Sequence, residues 1–223
     1  MSDLLPIFPL PNVVLFPNVF LPLHIFEPRY RDMVADVLAS DRLLGIVLLK
    51  PGWEHDYNGK PPVYPIGCSG VITHVDRLPD GRYNIVLRGV ERFRILEEEY
   101  SHSYRRANVE AVGERALAAE DRAGLRRQRS KLEVLLAPAI ERDSGKTQTA
   151  AREHRGTADP MIPTEMADED LVNALAQYLD LEPIEKQALL ETQCLRSRAE
   201  SLVELLEMKI MTARTPGGSH VAH

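Results

Sequence analysis

Apolar and polar residues alternate in short runs through the first half of the chain, a pattern typical of half-buried β-strands. Residues 78–81 form a turn signal between two runs, because proline fixes its own φ and glycine tolerates a positive φ. Gly89 interrupts a later run and is expected at a bulge or a barrel corner. The pattern predicts strands at 43–50, 63–75, 82–87, 90–96 and 104–112.

The opening segment is apolar enough for a core, yet six prolines fall between positions 6 and 28. Because proline donates no backbone hydrogen bond, strands here must be short, bent or at sheet edges. This favours the start of an irregular β-barrel. The phenylalanines of these first strands are core residues by default, and any exposed ones would form an apolar patch suited to binding exposed polypeptide. They are Phe8, Phe16, Phe20 and Phe26.

Helical spacing predicts one helix inside the β region, at 28–39. The second half is predicted to be helical at 120–140, at 168–179, from Pro183 onward and at 194–212. The helix at 168–179 is expected to bury Leu171, Val172, Leu175, Tyr178 and Leu179. The polar stretch 143–163 has no periodicity and is predicted to be a flexible linker or insertion, and 214–223 a disordered tail.

Composition indicates a globular protein of ordinary apolar content, with 223 residues and a net charge of −6. Two distant cysteines suit a reducing compartment, and the N-terminus has no signal-peptide pattern, so we expect a cytoplasmic protein. No apolar run approaches the length of a membrane span, so no membrane partner is expected. Acidic groups outnumber basic groups in both halves, which makes a nucleic-acid partner unlikely.

Motifs for catalysis are missing from the sequence. Residues 144–147 resemble part of a phosphate-binding loop, but Ile140 stands where that loop requires glycine. His24 and His74 have no Cys or His at metal-ligand spacing, and Cys68 has no activating cation or base beside it in sequence. We therefore expect no catalytic residue, no cofactor and no metal, and a protein that is not an enzyme.

Two charged groups are candidates for binding a peptide. Glu27 and Arg29, with Tyr30, lie at a helix start, where they either contact a peptide or serve as a capping carboxylate and surface ion pairs. Arg88 and Arg92 either form a cationic strip for an acidic partner or lie on the solvated face of a half-buried strand. In both cases the structural interpretation is favoured.

The loop at 51–62 is a third candidate, because it carries Trp53 and Tyr57 between flanking prolines. An aromatic loop at a barrel mouth is a typical binding element. The same side chains could equally pack back onto the barrel rim, and the sequence does not favour either arrangement.

Four ordered segments carry a resemblance to a known family: the proline-rich opening, 26–31, 88–95 and 178–191. Together they resemble the substrate-recognition N-terminal domain of Lon-type ATP-dependent proteases, over about residues 4–210. The resemblance implies an α+β fold, in which a PUA-like β pseudo-barrel with one inserted helix is followed by a C-terminal helical bundle. The corresponding subdomains would be 1–115 and 116–213.

The resemblance also implies a function. It implies a non-catalytic module, without ATPase or peptidase parts, that binds unfolded or exposed hydrophobic polypeptide segments in a groove between barrel and bundle. We expect a monomer or weak dimer. One alternative is an RNA-binding or small-molecule-binding protein, since PUA-like barrels in general can bind RNA. Another is an adaptor that delivers clients to a separate ATP-dependent protease or ATPase.

Overall fold

The structure is a computed structural model, which describes residues 4–56, 59–146 and 166–214. Its strands are β1 (Leu5–Leu10), β2 (Phe20–Ile25), β3 (Leu43–Leu48), β4 (Ile66–Arg77), β5 (Tyr83–Glu99) and β6 (Arg105–Ala111). Its helices are α1 (Pro28–Leu38), α2 (Ala119–Lys146), α3 (Asp168–Tyr178), α4 (Pro183–Glu191) and α5 (Leu195–Arg214), with a short 3-10 helix at Trp53–Asp56. The predicted flexible linker and tail lie largely outside the described residues.

The strands close into a barrel because β5 pairs with three other strands. The sheet runs β2-β5-β4-β3-β1-β6, and β5 also pairs with β6. This 17-residue strand pairs with β2 over residues 83–88, with β4 over residues 83–94 and with β6 over residues 93–99. The two strands predicted at 82–87 and 90–96 are therefore one long strand, and β2 remains at an edge of the sheet.

Gly89 lies beside a bulge in β5, as the sequence predicts. Gly70 is opposite Gly89 and Cys68 is opposite Arg92, so β5 carries one more residue than β4 between these pairs. The chain before β2 also crosses here, since the Asn18 amide donates to the Gly89 carbonyl at 3.0 Å and the Gly89 amide donates to the Val19 carbonyl at 2.8 Å. A Cβ on Gly89 would meet the Phe16 carbonyl oxygen. Glycine is required here by a close backbone approach.

Phe93 fills the interior of the barrel. It forms an apolar cluster with Leu5 and Ile7 of β1, Val47 of β3 and Ala107 of β6. The Phe93 ring would lie 2.7 Å from a Cβ placed on either Gly45 or Gly67. Two glycines on neighbouring strands thus make room for one large ring, so the barrel has a packed interior.

A second and larger core lies outside the ring of strands. One face of α1 contributes Tyr30, Met33, Val34 and Val37, as its helical spacing predicts. The same cluster continues without a break into α5, which buries Ala199, Leu202 and Leu206. The α+β fold is confirmed, whereas the division at residue 115 stays a prediction.

The predicted inner face of α3 is wrong at one position. Tyr178 was expected to be buried, but its side chain is 66% exposed. The buried face instead includes three polar or small residues, and it consists of Leu171, Val172, Asn173, Ala176 and Gln177. Helical spacing alone does not predict this face, because Asn173 and Gln177 are polar and are buried where they form hydrogen bonds with the barrel.

Arg92 joins the barrel to the bundle. Its side chain is 2% exposed, so the prediction that it lies on a solvated strand face is wrong. The guanidinium donates to the carbonyls of Leu190 at 3.0 Å and Thr192 at 2.6 Å, where α4 ends. It also lies 3.3 Å from the carboxylate of Glu114. Burial and the nearby Arg198 lower the pKa of Arg92.

Arg198 of α5 reaches the same helix end from the opposite side. It is fully buried and donates to the carbonyls of Leu189 at 3.1 Å and Thr192 at 3.1 Å. It also donates to Asn173 at 3.0 Å and to Glu114 at 2.9 Å. The last carbonyls of a helix carry no internal partner, so two guanidinium groups satisfy the end of α4.

We expect Gly89→Ala to destabilise the fold by about 3 kcal/mol, since the added methyl group forces apart two backbone segments that are hydrogen-bonded to each other. Urea unfolding measures the change. Gly113→Ala is the matched control, because a Cβ there meets nothing within 4 Å. Equal stabilities for the two variants would contradict the packing described at Gly89.

We expect Arg198→Met to cost about 3–5 kcal/mol, because it leaves the buried Leu189 carbonyl and Asn173 Oδ1 without their donor and removes one of the two cations that pair with Glu114. Arg82→Ala removes an exposed ion pair with Asp80 and should change the unfolding free energy much less than Arg198→Met does. Urea unfolding of both variants measures the difference. A similar decrease in the free energy of unfolding in the two variants would contradict the conclusion that the buried contacts of Arg198 stabilise the fold.

Candidate functional site

The exposed edge strand β2 presents an apolar surface. Phe20, Pro22 and His24 face away from the core at alternate positions, whereas Ile25 is buried. Phe26 follows directly after the strand. We call these four side chains, Phe20, Pro22, His24 and Phe26, the β2 surface.

Two large aromatic side chains on the β2 surface are exposed to solvent. Phe20 is 50% exposed and Phe26 is 59% exposed, whereas Phe8 and Phe16 are buried. The two exposed rings are separated along an extended strand by about 20 Å. Two of the four phenylalanines of the first strands are thus exposed, and they form the apolar patch expected of exposed rings in this segment.

The backbone of β2 is only partly available for pairing with another strand. Pro22 has no amide proton to donate. The Phe20 carbonyl already accepts a hydrogen bond of 3.0 Å from the Tyr178 hydroxyl. Because the ring of Tyr178 is exposed, this contact extends the apolar surface from the barrel onto α3.

His24 is held in one orientation by its neighbours on β5. Arg82 donates to Nε2 at 3.2 Å, so Nε2 is the acceptor and Nδ1 is the protonated nitrogen that donates to Asn84 Oδ1 at 2.7 Å. The ring also stacks on Phe26, with centroids 6.2 Å apart. Arg82 in turn binds Asp80 at 2.7 Å and lowers the pKa of that carboxyl. This row of polar contacts fixes the middle of the β2 surface.

The predicted group at the start of α1 adjoins the β2 surface through Phe26. Arg29 and Glu27 form an ion pair at 3.0 Å, and Arg29 lies 4.7 Å from the centroid of the Tyr30 ring. Tyr30 is buried against Phe8, with ring centroids 4.2 Å apart. Glu27 is the N-cap residue but its side chain makes no capping hydrogen bond, so that part of the interpretation is wrong.

The other predicted residues are spread over the molecule. Arg88 is exposed, lies opposite Phe20 on β5 and donates to Asn18 Oδ1 at 3.3 Å. Arg92 is buried at the end of α4, which leaves no cationic strip with Arg88. Trp53 is half-buried on the 3-10 helix, and Tyr57 lies outside the described residues. The structure thus places Arg88 beside the β2 surface and Arg92 away from it.

The groove expected between barrel and bundle is filled where the two parts touch. Gln187 of α4 donates to the Ile66 carbonyl at 2.9 Å, and the Phe16 amide donates to Gln177 of α3 at 3.2 Å. Asn173 donates to the Pro17 carbonyl at 3.3 Å. These buried contacts come from polar residues that helical spacing does not single out.

A half-open cavity of about 820 Å³ lies between α1 and the strands β1, β5 and β6. Most of the polar side chains that line it are engaged within the protein. Asp36 accepts from the Tyr104 hydroxyl at 2.8 Å, Asp41 accepts from the Leu43 amide at 3.0 Å, and Arg106 pairs with Glu99 at 2.8 Å. The cavity therefore lacks the convergent, available polar groups that a specific small-molecule site uses.

The structure bears on two chemical features that the sequence raises, the Cys68 thiol and a metal site. Burial raises the pKa of Cys68 to about 12, so its thiol stays protonated at neutral pH. In the part of the chain that the structure describes, no three His, Cys, Asp or Glu side chains are placed to hold a metal ion. None of the described helices combines the length and the apolar character needed to cross a membrane.

Solved structures resemble this fold over nearly the whole chain. The N-terminal domain of a Mycobacterium avium complex Lon protease matches with a TM-score of 0.63 at 18% identity, covering 92% of this chain and 98% of that one. A Lon N-terminal domain protein from Xanthomonas campestris matches with a TM-score of 0.55 at 23% identity, covering 96% and 99%. At these identities the likeness shows the fold alone.

Sequence comparisons lead to the same group of proteins. Lon protease 2 of Myxococcus xanthus is 27% identical over 216 residues, which are 93% of this chain and 24% of that protein. Lon protease 2 of Sorangium cellulosum is 32% identical over 163 residues, covering 71% and 20%. The chain thus spans about a quarter of the length of these curated relatives.

A family profile covers almost all of the described residues. The profile of the ATP-dependent protease La (LON) substrate-binding domain matches residues 4–208, from the first residue of the described barrel into the last helix. The matched range includes both the closed barrel and the bundle that Arg92 and Arg198 hold against it. The chain therefore belongs to the Lon substrate-binding domain family.

Proposed function

We propose that this chain binds extended, apolar segments of unfolded polypeptides at the β2 surface and carries out no chemistry on them. The single observation behind the proposal is the exposure of Phe20 and Phe26 on an open sheet edge, in a member of a substrate-binding family. Exposed aromatic pairs on a strand edge are typical of surfaces that capture other polypeptides.

Burial of the two aromatic rings supplies the main driving force. Each half-exposed phenylalanine has about 100 Å² of apolar surface left to bury, which corresponds to about 2 kcal/mol per ring. Part of that gain is lost in ordering a flexible client. The expected result is weak to moderate affinity, which suits a domain that must release what it binds.

The backbone of β2 gives the interaction its selectivity. A client strand that adds to this edge finds no donor at Pro22, and it must share the Phe20 carbonyl with Tyr178. Complete pairing along the strand is therefore prevented, and the client is held mainly by its apolar side chains. This favours short apolar segments and opposes the open-ended strand addition that leads to aggregation.

Charged residues at the two ends of the β2 surface would orient the client. Arg88 lies beside Phe20, and the Glu27–Arg29 pair follows Phe26, so we assign both to polar contacts with the peptide. Tyr30 is buried and supports this end of the surface from below. We assign Trp53 and Tyr57 of the 51–62 loop to secondary contacts, and we leave out Arg92 because it is buried.

The proposal is tested by replacing both rings with serine. We expect the variant F20S/F26S to bind a reduced and carboxymethylated protein that stays unfolded, such as α-lactalbumin, at least about tenfold more weakly than the wild type. Fluorescence anisotropy of the labelled client measures the affinity. Both side chains are already half in solvent, so the fold should survive the change.

Val134→Ser is the matched control, because it removes an apolar side chain that is 72% exposed on α2, away from the β2 surface. It should bind the client as the wild type does. Unchanged affinity in F20S/F26S, or an equal loss in Val134→Ser, would count against the β2 surface as the binding site.

A further inference from the structure

A second apolar surface lies at the far end of the bundle, between α4 and α5. A groove of about 470 Å³ is lined by Ile184 and Ala188 of α4 and by Leu205 and Met208 of α5. It continues into a shallower depression of about 680 Å³ that shares Glu204 and Met208 with it. Ile184 is 52% exposed and Met208 is 55% exposed. We call this continuous surface the α4–α5 groove.

The spacing of the residues in the α4–α5 groove matches a helix as its occupant. Ser201, Leu205 and Met208 follow one another at helical spacing on α5, beside the fully buried stripe of that helix. With Thr212 at its end, this line covers about three helical turns, or about 16 Å. Two neighbouring helices with an apolar furrow between them form the site into which an amphipathic helix packs.

The acidic residues along the α4–α5 groove favour a basic helix as its occupant. Glu185, Glu204 and Glu207 line the groove, and Lys209 is paired with Glu185 at 3.5 Å. Glu204 and Glu207 are exposed and have no ion pair among the described residues. The rim therefore carries carboxylates that complement lysine or arginine on the polar side of a bound helix.

Two other occupants fit less well. A second copy of this chain would bring its own Glu204 and Glu207 against the same carboxylates, and like charges in contact are destabilising. An anionic membrane surface would be repelled by the same rim. Methionine at the centre of the groove, an unbranched side chain that adapts its shape, suits a partner helix of variable sequence.

We propose that the α4–α5 groove docks a basic amphipathic helix of a partner protein, at a site separate from the β2 surface. The apolar side of the partner helix packs on Ile184, Leu205 and Met208, while its basic residues pair with Glu204 and Glu207. Such a site would let the domain hold a client and a partner at the same time.

A designed peptide tests the proposal on the full chain. The probe is a fluorescein-labelled peptide of about 18 residues, made of leucine and lysine in helical amphipathic order. We expect fluorescence anisotropy to show binding to the wild type and at least about tenfold weaker binding to I184S/M208S. In E204Q/E207Q the affinity should fall about threefold to tenfold, and its dependence on salt should decrease.

Matched variants and peptides show whether the probe binds in the α4–α5 groove or elsewhere on the protein. Val134→Ser and F20S/F26S should bind the peptide as the wild type does. The test of the α4–α5 groove therefore does not depend on whether the β2 surface binds a client. A scrambled peptide of the same composition and a leucine–glutamate peptide should bind at least about tenfold more weakly.

Several outcomes would overturn the proposal. The first is no binding to the wild type, and the second is equal binding to I184S/M208S. Equal binding of the scrambled peptide would show unspecific attraction to an acidic protein. The last outcome is measured by sedimentation velocity. If the wild type is a dimer and I184S/M208S is a monomer, the groove binds a second copy of the chain.

Discussion

The arrangement of the whole molecule depends on two guanidinium groups buried at the end of one short helix. Removing an arginine from water is costly unless each of its N–H groups finds an acceptor. Arg92 and Arg198 meet that condition at the carbonyls that close α4 and at the carboxylate of Glu114. One arginine comes from the barrel and the other from the bundle, so neither part can rotate against the other without exposing a buried charge.

This junction explains where the two proposed binding surfaces lie. The contact between barrel and bundle is occupied by buried polar side chains, so available apolar surface is displaced to the periphery. The β2 surface lies at the open edge of the sheet, and the α4–α5 groove lies on the outer side of the bundle. Both are built on regular elements, whose positions are fixed by the core, and binding there requires little rearrangement of the domain.

Local patterns in the sequence predict most of the elements and the fold, but they do not predict how the ends of the elements meet. Helical spacing identified the buried face of α1 because all four of its buried residues belong to the apolar core. Reasoning from local periodicity failed at Arg92 on β5 and at Tyr178 on α3, because a buried arginine and an exposed tyrosine follow from hydrogen bonds to residues far away in the chain. The sequence also does not predict that Phe20 and Phe26 are exposed, because apolar residues occupy both faces of β2 and alternation does not distinguish them.

Closure of the barrel must wait until most of the barrel sequence has been synthesised. The first strand pairs with the last, with Leu5 opposite Ala107, so the ring cannot close until β6 has been synthesised. At a ribosomal rate of about 5–20 residues per second, the interval between them lasts about 5–20 s. Arg198, which seals the junction, emerges later still. During that time the apolar opening segment of this domain has no β6 to pair with and is itself an exposed hydrophobic segment of a nascent chain.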